Sequence, residues 1–474
     1  MKKRNYIWLA YLGTDYVASC VALLIFSILR FNALPEIRET YGSEWNFLLS
    51  FGVQDTLLWF PPILLLIYYL TGYYIRFYDK SRVNEALRTF AAVVVASIIY
   101  FFVALLNDPQ PTRSVSYELI GLFAICLFGC LYPARFALTS AIKSYYSNPC
   151  RRHRYALLCP ADDSAAAWEK MATIARTSGF DIGARCALDG TLPHSDGDKA
   201  PWHPISSLGT LVKNGEIQGI VISPSVLEAH EIQRLLNTLY SLGVPVYVSP
   251  DDRSLAMGGV VRFEHVIGEP LVDITRPVLS DTVVAVKRFS DVVCSAVGLI
   301  VTMPVLAVLA LIIKRQSPGP VFYSQERIGY HRRPFKIHKL RSMYLGSETD
   351  GPRLSSDQDP RITPIGRVMR KYRLDELPNL WNVLLGEMSM VGPRPERLHY
   401  ISKIVERAPH YALLHQVRPG LTSWGMVRFG YASTVDQMIE RLRYDILYIQ
   451  NLSLEVDLKI LFYTLRTILR GEGK

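Results

Sequence analysis

The amino-acid sequence predicts a membrane protein that combines α-helical and α/β structure. Three observations lead to this fold class: four long apolar runs before residue 140, a strand–helix–strand pattern in the middle, and a fifth apolar run that contains Pro304. The fold class implies three domains. We place them at residues 1–148 (a four-helix transmembrane bundle), 149–275 (a small α/β domain) and 276–474 (a domain with a re-entrant membrane hairpin at about 288–315).

Composition and charge exclude several classes of protein. Half of the 474 residues are apolar and 20% are charged, which excludes a disordered chain and is atypical of a soluble enzyme. Residues 287–474 contain 28 Lys and Arg against 17 Asp and Glu, a balance of +11, whereas the remainder is near neutral. We therefore expect the C-terminal part to bind an anionic partner. The seven cysteines form no CxxC pair, so neither a zinc site nor a disulfide framework is expected, and a reducing compartment fits better.

The first four apolar runs have the length of membrane-spanning helices. They cover about residues 7–29, 57–74, 90–106 and 119–138, close to the ~20 residues that cross a bilayer. Basic residues cluster before the first run, between the second and third, and after the fourth, so the positive-inside rule places both ends of the bundle in the cytoplasm. Asp15 inside the first run is either functional or faces a neighbouring helix.

The middle of the chain alternates predicted strands and helices. Short apolar strands at 155–159, 217–222 and 244–248 are separated by helical patterns at 165–177 and 226–242. This alternation predicts a parallel sheet with crossover helices, as in a Rossmann-like domain. A dinucleotide site would need GxGxxG after the first strand, and residues 159–164 read CPADDS. We therefore predict a degenerate Rossmann-like domain without bound NAD, in a structural or regulatory role.

The fifth apolar run, at residues 292–313, differs from the other four. Its 22 residues carry no charge, but Pro304 lies in the middle, where proline removes a backbone hydrogen bond and kinks a helix. Basic pairs flank both ends, at 287–288 and 314–315. A hairpin that turns at Pro304 keeps both pairs on the cytoplasmic side. The alternative is a fifth spanning helix, which would place the soluble domains on opposite faces of the membrane.

Two basic or turn-rich motifs follow the hairpin. Residues 317–329 read SPGPVFYSQERIG, and residues 335–343 read FKIHKLRSM. On a strand, Lys339 and Arg341 would share one face and form a phosphate clamp. A solvated basic edge strand is the alternative interpretation of the second motif.

Adjacent carboxylates among cations mark residues 370–380, which read RKYRLDELPNL. In a helix, neighbouring side chains diverge by about 100°, so Asp375 and Glu376 would have different roles. One can attack or accept a proton while the other holds a metal ion. In the alternative interpretation, Asp375 caps a helix that starts near Glu376.

Two further cations lie next to rigid turns. Arg394 stands between two prolines in the run GEMSMVGPRPE at 386–396, and this fixed backbone pre-orients its guanidinium. Arg418 precedes a turn and a tryptophan in RPGLTSWG at 418–425. A structural loop with a surface arginine is the alternative interpretation of the first run. We predict that both cations, together with Arg370, bind phosphate.

From residue 287 to the C-terminus, these motifs in this order resemble the bacterial sugar transferases, the monotopic polyprenyl-phosphate phosphoglycosyl transferases. The resemblance covers nearly 190 residues and rests on the Pro304 hairpin, SPGPVFYSQERIG, FKIHKLRSM, RLDELPNLWNVLLGEMSMVGPRPE and RPGLTSWG. It implies transfer of a sugar 1-phosphate from a UDP-sugar to undecaprenyl phosphate, with release of UMP and with Mg²⁺ as cofactor. The four N-terminal helices and the degenerate middle domain resemble large members that initiate exopolysaccharide, capsule or O-antigen assembly.

The resemblance also implies roles for individual residues. Asp375 matches the family's nucleophile and Glu376 its metal-associated partner, whereas Arg394 matches an arginine that contacts the substrate phosphate. Lys339 and Arg341 match the basic strand beside the acids, and Pro304 matches the helix-breaking proline. This sequence departs from the pattern at Met426, where the family often has glutamine, and at Met303, where small members have serine.

The prediction is therefore an enzyme of the bacterial inner membrane with its catalytic domain on the cytoplasmic face. Its expected partners are a UDP-sugar, undecaprenyl phosphate and membrane lipids, with a homodimer as a possibility and no nucleic acid. Two alternatives come from other classes: a non-catalytic membrane scaffold of polysaccharide assembly, and a membrane-attached nucleotide-sugar dehydratase or epimerase. The intact acid pair argues against the first, and the missing glycine motif argues against the second.

Overall fold

The computed structural model describes most of the chain and divides it into two compact units. The described residues are 2–75, 82–105, 113–147, 152–159, 168–169, 171–174, 180–187, 200–223, 235, 238–239, 242–248, 272–273, 279–347, 359–430 and 432–471. Unit 1 comprises Met1–Arg151 and Ser280–Val286, and unit 2 comprises Arg152–Leu279 and Lys287–Lys474. The predicted second and third domains thus fall in one unit, and the three-domain division stays a prediction.

Long helices dominate unit 1. They are α1 (Lys2–Ala33), α2 (Pro35–Tyr41), α3 (Glu44–Leu48), α4 (Phe51–Leu70), α5 (Arg82–Tyr100, followed by a π turn at Phe101–Leu105) and α6 (Arg113–Ser147). Four of these helices, α1, α4, α5 and α6, are long and apolar enough to cross a membrane. Their apolar side chains lie both in the core and on the surface: Phe26, Leu64 and Phe123 belong to one buried cluster, whereas Trp59 and Ile125 are exposed. An exposed apolar exterior around an apolar core is typical of a protein that sits in lipid.

Polar side chains are buried between the long helices of unit 1. Arg135 on α6 donates to both carboxylate oxygens of Asp15 on α1, at 2.8 and 2.9 Å, and Tyr74 also donates to Asp15 at 2.6 Å. Both members of the ion pair are 0% exposed. Asp15 therefore faces a neighbouring helix, as one of the two interpretations expected.

A mostly parallel sheet forms the first part of unit 2. Its strands are β1 (His153–Cys159), β2 (Phe180–Ala187), β3 (Trp202–Pro204), β4 (Gly219–Ile222), β5 (Val246–Val248) and β6 (Val272–Asp273), and helix α7 (Leu208–Lys213) follows β3. The strand order is β3-β2-β1-β4-β5-β6, with only β6 antiparallel to its neighbour. The sequence predicted β1, β4 and β5 but not β2. The predicted helices at 165–177 and 226–242 and the CPADDS turn lie largely outside the described residues.

Helix α8 (Asp281–Gln316) is the fifth helix long and apolar enough to cross a membrane. Its first turn belongs to unit 1, where Asp281 accepts a 2.8 Å ion pair from Arg88. Pro304 lies inside the helix, not in a separate turn between two helices. A re-entrant path would therefore have to come from a bend within α8. In its middle, Ile300, Val301 and Met303 are each more than 60% exposed.

The rest of unit 2 is a small, mixed domain built around short elements. These are β7 (Phe322–Ile328), β8 (Pro334–Leu340), α9 (Pro364–Lys371), α10 (Asn379–Leu385), β9 (Ser389–Val391), α11 (Leu398–Arg407), β10 (Gly420–Thr422), α12 (Trp424–Arg428), α13 (Val435–Gln450) and α14 (Leu454–Leu469). β7 and β8 form an antiparallel hairpin, and β9 pairs with β10 in parallel. The chain is largely helical, has several helices apolar enough to cross a membrane, and contains a mostly parallel sheet. These features are those of a membrane protein.

Candidate active site

Asp375 and Glu376 lie in a tight bend that joins α9 to α10. The bend is a 3₁₀ turn, Leu374–Glu376, and Arg373 opens it with a φ of 56° and a ψ of 22°. Left-handed backbone is uncommon at residues other than glycine and is often found at functional sites. Helix α10 begins only at Asn379, after Pro378, so the interpretation of Asp375 as the cap of a helix near Glu376 is wrong.

Glu376 is surrounded by three cationic side chains from three different segments. Lys339 on β8 contacts Oε1 of Glu376 at 2.5 Å, Arg394 contacts the same oxygen at 3.3 Å, and Arg373 contacts Oε2 at 3.5 Å. The side chain of Glu376 is only 9% exposed. One buried carboxylate therefore holds together three cations that could otherwise repel one another.

The two neighbouring acids have opposite electrostatic environments. Burial raises the pKa of Asp375; Lys339 opposes this rise and the charge of Glu376 adds to it. Burial also acts to raise the pKa of Glu376, but Lys339, Arg394 and Arg373 outweigh it and hold that pKa well below its usual value. The pair thus separates into Glu376, whose pKa is lowered, and a more basic Asp375, as expected where one acid organises the site and the other reacts.

Two loops that approach each other closely hold Arg394. Gly392 donates to Thr422 O at 3.0 Å, and Gly420 donates to Pro393 O at 2.9 Å. A Cβ on Gly392 would lie 2.3 Å from Arg418 O, so only glycine allows this approach. Arg394 then extends one guanidinium nitrogen to Glu376 and the other to the sulfur of Met426 at 3.2 Å.

Two asparagines on α10 fix the position of the strand that carries Lys339. The backbone N–H of His338 lies 3.1 Å from Asn379 Oδ1 and 3.3 Å from Asn382 Oδ1. Asn382 also donates to Lys336 O at 2.7 Å. These contacts lock β8 against the helix that follows the acids, and so they fix the distance between Lys339 and Glu376.

A shallow cleft opens at this cluster. Its lining residues are Arg327, Ile337, Lys339, Glu376, Asn379, Met388, Arg394, Pro395, Gly420 and Leu421. Asp375 is 7% exposed and lies beside this cleft, next to Glu376. The cleft therefore offers cations to an anionic ligand. The more basic carboxyl, that of Asp375, belongs to the residue directly before Glu376, which lines the cleft.

The structure brings some of the predicted phosphate-binding residues to the acids and leaves others apart. Arg370 is held by Ser342 Oγ at 3.0 Å and its charge lowers the pKa of Asp375, which burial raises. Arg341 donates instead to the carbonyls of Ser317 and Pro318, at 2.7 and 2.6 Å. The expected clamp of Lys339 and Arg341 on one face is thus not formed.

Arg418 is also engaged elsewhere. Its Nε donates to the carbonyl of Gly386 at 2.9 Å, and its guanidinium lies over the ring of Tyr330 at 5.7 Å. The phosphate-binding roles of Arg341 and Arg418 stay predictions, although both side chains are tied to the protein itself here.

Sequence reasoning missed the roles of Arg373 and Asn379. Arg373 was visible as one of three cations before the acids, but its left-handed backbone and its contact with Glu376 depend on the bend. Asn379 lies three residues after Glu376, and its position at the start of the following helix was the available signal.

The described residues include no group of three or more His, Cys, Asp or Glu side chains that could hold a metal ion by themselves. Asp375 and Glu376 remain as a pair of adjacent carboxyls. Mg²⁺ is commonly bound through one or two carboxylates, with substrate phosphates and water supplying the other oxygens. Two adjacent carboxyls are therefore donors of the type that such an ion takes.

Comparison with known proteins identifies the family. Residues 282–471 match the model of the bacterial sugar transferase family. A UDP-N-acetylgalactosamine-undecaprenyl-phosphate N-acetylgalactosaminephosphotransferase of Aeromonas hydrophila is 37% identical over 245 residues, 52% of this chain and 57% of that protein. A UDP-glucose:undecaprenyl-phosphate glucose-1-phosphate transferase of Caulobacter vibrioides is 44% identical over 191 residues, 40% of this chain and 71% of that protein.

A third relative is matched over nearly its whole length. The exopolysaccharide production protein PSS of Rhizobium leguminosarum bv. phaseoli is 38% identical over 195 residues, 40% of this chain and 97% of that protein. By contrast, the chain matches little more than half the length of the Aeromonas relative. The family match spans the acid pair, the strand with Lys339 and the loop with Arg394. The chain belongs to the bacterial sugar transferase family.

Proposed function

We propose that this protein transfers a sugar 1-phosphate from a UDP-sugar to undecaprenyl phosphate and releases UMP. The observation that carries the proposal is the acid pair: a buried, more basic Asp375 beside an ionised Glu376 that gathers Lys339, Arg373 and Arg394. The names of the relatives, which are undecaprenyl-phosphate sugar-phosphate transferases, support the same reaction class.

The cations around Glu376 suit the pyrophosphate of the donor. Before a carboxylate can approach phosphorus, the negative charge of the pyrophosphate must be offset. Lys339 and Arg394 both line the cleft, and the fork of Arg394 matches two phosphate oxygens. Glu376 keeps these cations close together beside the cleft before the donor arrives.

Asp375 is the proposed nucleophile. A carboxylate oxygen of Asp375 forms a bond to the β-phosphorus while the bond from that phosphorus to the UMP oxygen breaks, and UMP leaves with the electron pair. A phosphate oxygen of undecaprenyl phosphate then attacks the same phosphorus, and Asp375 leaves as a carboxylate. Because Asp375 lies beside the cleft, its side chain must turn toward the bound donor for the first step.

Magnesium is the proposed cofactor, with Glu376 as the principal protein ligand and Asp375 adjacent. When bound, the ion offsets pyrophosphate charge as a Lewis acid. Glu376 would then exchange part of its contact with Lys339 and Arg394 for the ion, which frees these cations for the phosphates.

We propose that α8 is re-entrant and that the catalytic domain lies on the cytoplasmic face of the bacterial inner membrane. Both halves of α8 pack on the same part of unit 2, which supports this placement. In the first half Arg288 donates to Val383 O at 2.7 Å, and in the second half Leu309 and Ile313 pack on Met369. The excess of cations on the predicted cytoplasmic side supports the same orientation.

We also propose that α1, α4, α5 and α6 form a four-helix transmembrane bundle and that the parallel sheet is Rossmann-like. The strand order β3-β2-β1-β4-β5-β6 is that of doubly wound dinucleotide folds, which supports the second point. The sheet would serve a structural or regulatory purpose, because the glycine motif is missing after β1. The same proposal includes a homodimer mediated by the N-terminal helices.

The reaction would be the first membrane step in exopolysaccharide, capsule or O-antigen synthesis. The printed name of the Rhizobium relative, an exopolysaccharide production protein, supports the first of these pathways. Among the relatives described above, one acts on an N-acetylgalactosamine donor and one on a glucose donor, so both belong in the donor panel.

The test is UMP release by the full-length protein in nanodiscs across a panel of UDP-sugars. Asp375→Asn keeps the shape of the side chain but removes the nucleophile, so turnover should fall by roughly 10³-fold or more. Wild type incubated with labelled donor and no lipid should carry a sugar phosphate on the peptide that contains Asp375. Near-normal turnover in Asp375→Asn, or an adduct on another residue, would contradict the assignment. Asp359→Asn, an acid 6% exposed that pairs with Arg361, is the matched control.

A further inference from the structure

Helix α13 carries two buried charged residues that contact different loops of the site. Arg441 and Asp445 are four residues apart, so they lie on one face of the helix. They are 5% and 2% exposed. Neither lines the cleft at Glu376.

Arg441 holds the segment that follows Arg394. Its Nη2 lies 2.7 Å from Oε1 of Glu396, which is two residues after Arg394 in the chain. The other oxygen of Glu396 is 3.1 Å from Arg327 Nη1, and that nitrogen also donates to Pro395 O at 3.2 Å. The loop is thus clamped from α13 on one side and from β7 on the other.

Asp445 holds the turn that contains Met426. Its Oδ1 accepts from the backbone N–H of Gly425 at 3.2 Å, and Met426 N donates to Ser423 Oγ at 3.0 Å. A Cβ on Gly425 would lie 2.6 Å from Arg441 Cγ, so the turn lies directly against the helix.

Arg394 lies between these two held segments. Its guanidinium contacts Glu376 at 3.3 Å and the sulfur of Met426 at 3.2 Å. A thioether is only a weak acceptor, so, besides the ion pair with Glu376, the placement of its backbone and of the Met426 turn helps to set the direction of Arg394.

We propose that Glu396, Arg441 and Asp445 are positioning residues that set the direction of Arg394 toward the substrate phosphate. Two carboxylates and two guanidiniums, those of Arg327 and Arg441, balance in charge, as a buried network requires. The assignment rests on the proposed function, because it takes Arg394 to be the phosphate-binding group.

The electrostatics of the network agree with its geometry. Burial acts to raise the pKa of Glu396, but the charges of Arg441, Arg327 and Arg394 outweigh burial and lower it. Burial raises the pKa of Asp445 to about 6, against the opposing effect of Arg441. Glu396 is thus the ionised centre of the clamp at neutral pH.

The test is a double-mutant cycle on UMP release by the full-length protein, with Glu396→Gln and Arg394→Lys. If Glu396 acts through Arg394, Glu396→Gln should lower kcat/KM for the UDP-sugar about tenfold in the wild type. In the Arg394→Lys background, Glu396→Gln should change kcat/KM less than twofold. Equal fold-losses in both backgrounds would overturn the proposal, because a residue with only a structural role lowers activity whatever stands at 394.

Two further variants complete the design. Arg441→Lys keeps the charge and loses the planar fork, and should show the same dependence on Arg394 even if Glu396→Gln folds poorly. Asp436→Asn is the control: Asp436 is on the same helix, pairs with Arg407 at 2.6 Å and is 72% exposed, so kcat/KM should not change. If the wild type is active but the fold-losses in kcat/KM of the single variants simply multiply in the double variant, this inference alone is overturned. If the wild type releases no UMP, the proposed function and the inference are overturned together.

Discussion

Arg373 adopts left-handed backbone directly before the 3₁₀ turn that contains the acids. The strain costs an L-residue roughly 1–2 kcal/mol relative to glycine. It persists here because the bend places the Arg373 guanidinium beside Glu376. Stability is thus given up at this residue for a cation at the site, as at other strained functional positions.

A pair of substitutions at Arg373 separates strain from charge. Both Arg373→Gly and Arg373→Ala remove the cation, so UMP release should fall to a similar extent in each. Only glycine relieves the strain, so Arg373→Ala should be less stable than Arg373→Gly by about 1 kcal/mol in urea or thermal unfolding. Equal stabilities would mean that the backbone at 373 is not left-handed in solution.

The pH dependence of the reaction follows from the acid pair. Attack requires Asp375 to be ionised, and burial raises its pKa, so kcat/KM should increase with pH through a value above that of an ordinary aspartate. Lys339 lowers the pKa of Asp375, so Lys339→Met should move this rise of kcat/KM, the acid limb of the pH profile, to higher pH. Glu376 raises it, so Glu376→Gln should move the limb to lower pH.

Shifts in the same direction for both variants would contradict this account of the pair. Lys336→Met is the control, because Lys336 is exposed on the same strand and should leave the limb unchanged.

Among the elements, α8 most clearly connects sequence to membrane topology. Its exposed middle is wholly apolar, and each half packs on unit 2. Single cysteines at Ser290 and Lys314, in a cysteine-free background, should both be labelled only from the cytoplasmic side. Ser290 serves better than Lys287, because Lys287 contacts Asp457 at 2.5 Å and its replacement would disturb that pair.

Pro304→Leu restores a backbone hydrogen bond in the middle of α8 and should convert part of the population to a spanning form. In that form Lys314 would be labelled from the opposite side. Labelling of the two wild-type positions from opposite faces would contradict the re-entrant proposal directly.

The elements also mark where sequence reasoning succeeds and fails. The long apolar helices were predictable because crossing a bilayer needs a length and a composition that the sequence displays directly. Strand β2 was missed because Asp181 and Arg185 interrupt its apolar pattern. Arg185 is nevertheless 5% exposed, since it is enclosed by the rings of Trp168 and Trp202 at 5.1 and 4.6 Å. Such a partner is visible only in the folded structure.

The same limit applies to the site. The acid pair, Lys339 and Arg394 were predictable from motifs in which charge and rigid backbone occur together. Arg341 has the same charge and a similar spacing, yet it binds the carbonyls of Ser317 and Pro318. Spacing along a strand does not decide this, because the strand β8 ends at Leu340 and Arg341 lies beyond it.

At the scale of the whole molecule, the question is whether unit 1 takes part in the chemistry. The site residues all lie in unit 2, and the 195-residue match to the Rhizobium relative, about as long as the family match, covers 97% of that protein. We therefore expect residues 276–474 in nanodiscs to release UMP at a rate within about tenfold of the full chain.

The truncated chain loses the Arg88 partner of Asp281, so it should be less stable, and Asp281→Asn in the truncated chain should offset part of that loss of stability. Activity should be compared at equal folded concentration, measured by circular dichroism. If the truncated chain folds but releases no UMP while the full chain is active, unit 1 contributes to catalysis itself.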